Sequence, residues 1–156
     1  MLTWLESTSV AVWLLESPSV WANATVLTLH TTGMAVLVGA SWVLDLRLLG
    51  MSRTIPLSAF RWVFRAVAIG LILNLTTGFL LFAERATTWG TSVPFLIKMG
   101  LVIASASTLL PLRKYVLQTD AGHGEVDGRA RLLAIASILT WSGAVTAGRL
   151  LAYLVP

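Results

Sequence analysis

Residues 62–83 read WVFRAVAIGLILNLTTGFLLFA, 22 residues with a single charge, Arg65, near the start. As a helix at 1.5 Å per residue the run is about 33 Å long. That length crosses a hydrocarbon core about 30 Å thick. Membrane-barrel strands would be about half as long and would alternate in polarity, and this run does not alternate. Working outward, residues 24–49, 93–117 and 132–154 form three more runs of the same kind. In lipid the backbone must satisfy its own hydrogen bonds, so four such runs predict four helices. The expected fold is all-α: a single transmembrane domain over residues 1–156, built as a four-helix up-down bundle.

Composition agrees with this reading. Hydrophobic residues make up 56% of the chain and charged residues 12%, against about 25% charged in a soluble domain. The mean hydropathy is +0.82. The chain has no cysteine, which excludes disulfides, thiolate metal sites, iron–sulfur clusters and covalent c-type haem.

The sequence pI is near 10.4, yet the bases are not arranged for nucleic acid. Arg47, Arg53, Arg61 and Arg65 flank the first connection, and Arg113, Lys114, Arg129 and Arg131 flank the third. These are eight of the eleven basic residues. The second connection holds only Arg85, beside Glu84, and the N-terminal segment holds Glu6 and Glu16 and no base. The positive-inside rule then predicts a bacterial inner-membrane protein with cytoplasmic first and third connections and both termini on the periplasmic side. The lipid bilayer is the first expected partner, with anionic lipid a further contact for the bases.

The first twenty residues lack the basic n-region and long apolar core of a signal peptide. Leu2, Leu5, Val12, Trp13, Leu14 and Leu15 instead predict one amphipathic helix on the outer leaflet, ended by Pro18. Trp4, Trp13, Trp21 and Trp89 map to the outer interface and Trp62 to the inner one, as an aromatic belt requires. The sequon Asn23-Ala24-Thr25 reads as coincidence. His123 falls in the longest polar loop and reads as a surface residue.

Small residues recur at i, i+4 spacing. Ala35 and Gly39 do so in the first span, and Ala66, Gly70, Asn74 and Gly78 in the second. Gly100, Ala104 and Thr108 follow in the third, and Ala136, Thr140, Ala144 and Gly148 in the fourth. Such stripes let helices approach closely in lipid. Asn74 stands out, because a mid-membrane amide needs a partner and so should face the bundle.

His30, Lys98 and Arg149 each lie five or six residues from the outer end of their span, at one depth roughly 7–10 Å below the surface. Asn74, Thr76 and Thr77 share that outer half, as do Thr31, Thr32 and Thr146. One reading is that Lys98 and Arg149 snorkel outward to lipid phosphates or to Glu84. The other is a cationic pocket for an anionic or carbonyl-bearing ligand, lined by His30, Asn74, Lys98 and Arg149. Candidates are haem b, with His30 as an axial metal ligand, a quinone or a lipid head group. A second histidine is missing at this depth. Met34, one turn below His30 on the same helix, cannot oppose it, which leaves Met99. Asp45 and Arg47 sit at the cytoplasmic mouth of the first span and read as a structural anchor. Asp45 is expected to pair locally or with Arg61 or Arg65.

The run His30-Thr31-Thr32-Gly33-Met34-Ala35-Val36-Leu37-Val38-Gly39, followed by Asp45-Leu46-Arg47-Leu48-Leu49-Gly50, resembles the first-helix signature of an uncharacterised bacterial four-helix integral membrane family. Phe95-Leu96-Ile97-Lys98, Trp141 and Gly148-Arg149 carry the resemblance into the third and fourth spans. The chain is also distantly similar to the membrane domain of copper-resistance D-type proteins, which place a lysine early in a helix. The resemblance implies that His30, Asp45, Arg47, Lys98 and Arg149 are the marked positions, and it brings no assigned activity. Many relatives carry an acid one turn before the histidine, where this chain has Thr25 and Val26.

Three functions follow as expectations: a ligand-binding or redox subunit with an outer-half pocket; a non-catalytic accessory subunit packed against other membrane subunits or its own copies; and a small-solute or metal transporter. The last finds no broken helices, midplane carboxylates or inverted repeats in the sequence. No catalytic triad or phosphate loop is present, so the chain reads as lacking catalytic activity of its own.

Overall fold

The structure is a computed structural model that describes residues 2–118 and 126–154. The loop carrying His123 lies outside the described residues. Seven α-helices and a short 3-10 turn, with no strand among the described residues, make the fold all-α. Helices α1 (Leu2–Glu6) and α2 (Ser9–Glu16) precede α3 (Val20–Leu49). The 3-10 turn Leu57–Phe60 leads into α4 (Val63–Glu84), followed by α5 (Ala86–Gly90), α6 (Val93–Gln118) and α7 (Gly128–Leu154). Four helical segments, Val20–Leu49, Leu57–Glu84, Val93–Gln118 and Gly128–Leu154, are long and apolar enough to cross a membrane. The chain fits a multi-pass membrane protein. Ile69, Ile72, Leu75, Ile103, Leu110 and Leu139 point outward with more than half their surface exposed, as lipid-facing residues do.

Two helices run past the apolar segments that announce them. α3 starts four residues before 24, behind Pro18 and Ser19, and α7 starts at Gly128, so Arg129 and Arg131 lie in its first turns rather than in a loop. Helical hydrogen bonding continues through the polar ends, whereas hydropathy marks only the apolar middle.

The N-terminal segment forms two helices instead of one. Ser7 Oγ donates to Trp4 O at 2.9 Å and Thr8 Oγ1 to Leu5 O at 2.7 Å. These local bonds compete with the helix and end it there. α1 packs on α4 and α5, and α2 packs on α4 with Ala11 and Leu14 buried. Glu6 Oε1 accepts from Thr87 N at 2.8 Å and from Thr87 Oγ1 at 2.6 Å. The segment thus caps one end of the bundle, the N-terminal face. The other end, with the first and third connections, is the basic face.

At the basic face α3 stops in a Schellman turn. Gly50, at φ 113°, adopts the left-handed conformation that only glycine takes readily. Its N–H bonds Arg47 O at 3.2 Å, and Met51 N bonds Leu46 O at 3.0 Å. Arg47 then ties the connection down, Nε donating to Ile55 O at 2.8 Å and Nη2 to Arg53 O at 3.2 Å.

The four long helices associate as two hairpins, α3–α4 and α6–α7, joined where α3 packs on α7. α4 and α6 come together near the N-terminal face, where Phe82 and Phe95 stack with ring centroids 5.0 Å apart. The apolar core, including Leu37, Leu44, Leu48, Val63, Leu112, Val116, Ala134 and Trp141, fills the basic half.

The α3–α4 seam is a backbone crossing. A Cβ on Gly70 would stand 2.7 Å from Leu37 N and 2.9 Å from Gly33 O. Thus the contact on α3 runs through Gly33 and Leu37. The expected Ala35–Gly39 stripe is exposed, and a Cβ on Gly39 would meet nothing within 4 Å. The same holds for Gly100 on α6. In the second hairpin Gly143 admits the Leu101 side chain, and Gly148 admits the Lys98 stem.

Candidate functional site

His30 is the centre of the polar layer. Its ring is buried against α4, with Nδ1 3.2 Å from Asn74 O and 3.1 Å from Thr77 Oγ1. A backbone carbonyl only accepts, so Nδ1 carries the hydrogen. Thr77 Oγ1 spends its own hydrogen on Leu73 O at 2.6 Å and accepts from the ring. In the neutral imidazole, Nε2 is then left with the lone pair. Asn74 completes the exchange: its Nδ2 donates to His30 O at 3.0 Å. The amide that sequence marked for a partner thus finds it on α3, and the two residues bridge the seam in both directions.

Gly78 makes the space. A Cβ there would lie 3.0 Å from His30 Cε1 and 3.4 Å from Nδ1. The second-span stripe therefore serves two ends: Gly70 for backbone contact and Gly78 for the imidazole.

Lys98 is half-buried. Its stem lies across Gly148 of α7, with Cε 3.5 Å and Nζ 3.7 Å from the position of a Cβ. Arg149, the next residue after Gly148, is exposed. A helix turns about 100° per residue, so the position that meets Lys98 and the position beside it cannot share a face. The structure joins His30 to Asn74 and Thr77, lays Lys98 on Gly148, and leaves Arg149 exposed.

Glu84 does not answer either base. It accepts from Asn23 Nδ2 at 2.9 Å, joining the start of α3 to the end of α4. This contact also occupies the sequon asparagine. Among the described residues no ion pair joins Glu84 to Lys98 or Arg149.

Asp45 departs from expectation. It is 1% exposed and faces α7, not the basic loop, and among the described residues no base pairs with it. Asp45 and Arg47 are two residues apart on a helix and point to different sides; Arg47 is taken up by loop carbonyls. Both Asp45 carboxylate oxygens, Ser137 Oγ and Trp141 Nε1 are buried without hydrogen-bond partners. The carboxylate faces the Ser137 hydroxyl but does not close a well-formed bond with it.

Thr77 and Gly78 complete the His30 site, and both were visible as small or hydroxylated neighbours of Asn74. Among the described residues no group of three or more histidine or acidic side chains is arranged to hold a metal ion. No protein-family model, curated protein or solved structure matches the chain.

Proposed function

We propose that the chain is an integral membrane ligand-binding subunit of redox type, with a quinone or quinol held in the N-terminal half between His30 and Lys98. The observation that carries this reading is the hydrogen-bond pattern of His30. The ring is fixed through Nδ1 by a carbonyl and a hydroxyl, and the Nε2 lone pair is left for a ligand. A quinol hydroxyl would donate to Nε2, and its oxygen would accept from the Lys98 ammonium. Intramembrane ionisable residues facing a bundle interior commonly mark such sites. Asn74 and Thr77 act as positioning residues, and Arg149 serves the rim or lipid phosphates. The basic face is taken as cytoplasmic, which puts the site in the periplasmic half.

The same ring fits one side of a haem, since metal-bound histidines usually donate their other nitrogen to a carbonyl or similar acceptor. The chain supplies a single imidazole here, so haem b would need its second axial ligand from Met99 or from another subunit. The test is purification in mild detergent, followed by reduced-minus-oxidised spectra and mass spectrometry of extracted quinones. Co-purifying quinone that is lost in His30→Ala and Lys98→Ala supports the proposal. A Soret band lost in His30→Ala moves the assignment to haem. If no chromophore is found and quinone content is the same in all variants, the binding reading fails.

An accessory-subunit reading is favoured by one separate observation, the open space over Gly39 and Gly100. Small residues exposed to lipid suit close approach by a further helix. Disulfide trapping between Gly39→Cys chains or with a co-expressed subunit tests it, and monomeric protein with no trapped species counts against it.

A further inference from the structure

The two hairpins leave a groove between α4 and α6 at the basic face, with a volume of about 740 Å³. Its walls are apolar and include Leu71 on α4 and Leu109 and Leu110 on α6. Three guanidinium groups line the same groove: Arg61 before α4, Arg65 in its first turn and Arg113 near the end of α6. All three are exposed, and among the described residues none has a side-chain hydrogen bond or ion pair. Of the other two basic side chains of the first connection, Arg47 is engaged by carbonyls and Arg53 lies against Gly50, outside the groove. Three free cations above an apolar trough match one chemistry: an anionic head over a hydrocarbon tail.

We infer that this groove is a specific site for an anionic phospholipid of the leaflet at the basic face. The phosphate sits among Arg61, Arg65 and Arg113, where planar guanidinium forks pair two-to-two with phosphate oxygens. One acyl chain runs down the trough along Leu71, Leu109 and Leu110. A zwitterionic lipid fills the trough equally well but brings its own cation to the mouth, so charge selects the anionic head. The site is separate from His30 and stands whether or not a quinone binds there.

The experiment is native mass spectrometry of the full chain released from detergent, titrated with phosphatidylglycerol or phosphatidylcholine of identical acyl chains. Wild type is expected to retain one phosphatidylglycerol and not phosphatidylcholine. Arg61→Gln/Arg65→Gln/Arg113→Gln should lower that affinity by about a hundredfold, each base contributing about fivefold. Because removing bases can disturb insertion, a second variant keeps them: Ala68→Trp places an indole in the trough. It should reduce phosphatidylglycerol retention while leaving the thermal midpoint within a few degrees of wild type. Equal retention of the two lipids overturns the inference. So does phosphatidylglycerol binding that survives both variants, or a groove that Ala68→Trp shows to be covered by a second copy through loss of a dimer.

Discussion

His30 and Asp45 sit on one helix, α3, and meet opposite fates. His30 faces α4 and is answered on both sides, ring to carbonyl and amide to carbonyl. Asp45 faces α7 and is answered by nothing in good geometry. An imidazole carries a donor and an acceptor, so any neighbouring helix with a spare carbonyl or hydroxyl can hold it. An ionised carboxylate only accepts, and needs donors that helices rarely spare. The difference teaches that the α3–α4 seam at His30 is specified by hydrogen bonds and the α3–α7 seam at Asp45 by apolar packing around a cluster of unsatisfied groups, Asp45, Ser137 and Trp141.

The largest break in that contrast comes from the backbone crossing beneath His30. Gly70→Leu drives a side chain into Leu37 N and Gly33 O, neither of which can swing aside. A loss of about 3 kcal/mol or more in a denaturing-detergent titration is expected, together with loss of the His30–Asn74 bridges. His30→Ala should cost about 2 kcal/mol, from lost packing and two helix-spanning bonds. Asp45→Asn keeps the shape and adds donors that Ser137 Oγ can accept. It is expected to be neutral or to stabilise by about 1 kcal/mol in the same titration. Destabilisation by Asp45→Asn comparable to His30→Ala would erase the distinction between the two seams.

Finer variants sharpen it. Gly78→Ala asks the imidazole to give by a few tenths of an ångström, so it should weaken any ligand held at Nε2 while moving stability by less than about 1 kcal/mol. Gly39→Leu should change the stability of the isolated chain least of the glycine variants, since nothing lies over it. The smallest effect belongs to Glu6. Two hydrogen bonds from Thr87, the hydroxyl's first and the backbone's second, hold its carboxylate below the usual range. A depressed folded value means the docking is fully present above the ordinary carboxylate range and is lost as pH falls through the lower folded value. Proteolysis of the N-terminal segment should therefore rise only at acidic pH, and Glu6→Gln should flatten that rise.

The four long helices were legible because each is a long, largely apolar run, and lipid makes the backbone satisfy its own hydrogen bonds. Depth follows from counting 1.5 Å per residue: His30 meets Asn74 across the first seam, and Lys98 packs on Gly148 across the second. Azimuth does not follow from the count. Arg149 shares the depth of Lys98, but its neighbour Gly148 took the seam and turned it outward. The Ala35–Gly39 pair has the spacing of a packing stripe, yet α4 meets Gly33 and Leu37, two residues round the helix on the opposite face, a choice that only the partner helix decides. Asp45 looked like a loop-side anchor because bases are close in sequence. Its place two residues from Arg47 on a helix sends the two side chains apart.

The division into two consecutive hairpins has a consequence for biogenesis. Each close pair, α3 with α4 and α6 with α7, is contiguous in the chain, and domains emerge from synthesis N-terminus first. By the time Glu84 has left the ribosome, both hydrogen-bond partners of the His30 ring, Asn74 and Thr77, already exist in the nascent chain. The first hairpin can mature as a finished template in the bilayer. The second is then recruited mainly along the α3–α7 face, with the Phe82–Phe95 stack beside it, so errors of assembly should concentrate at that late joint, where Asp45 waits for Ser137.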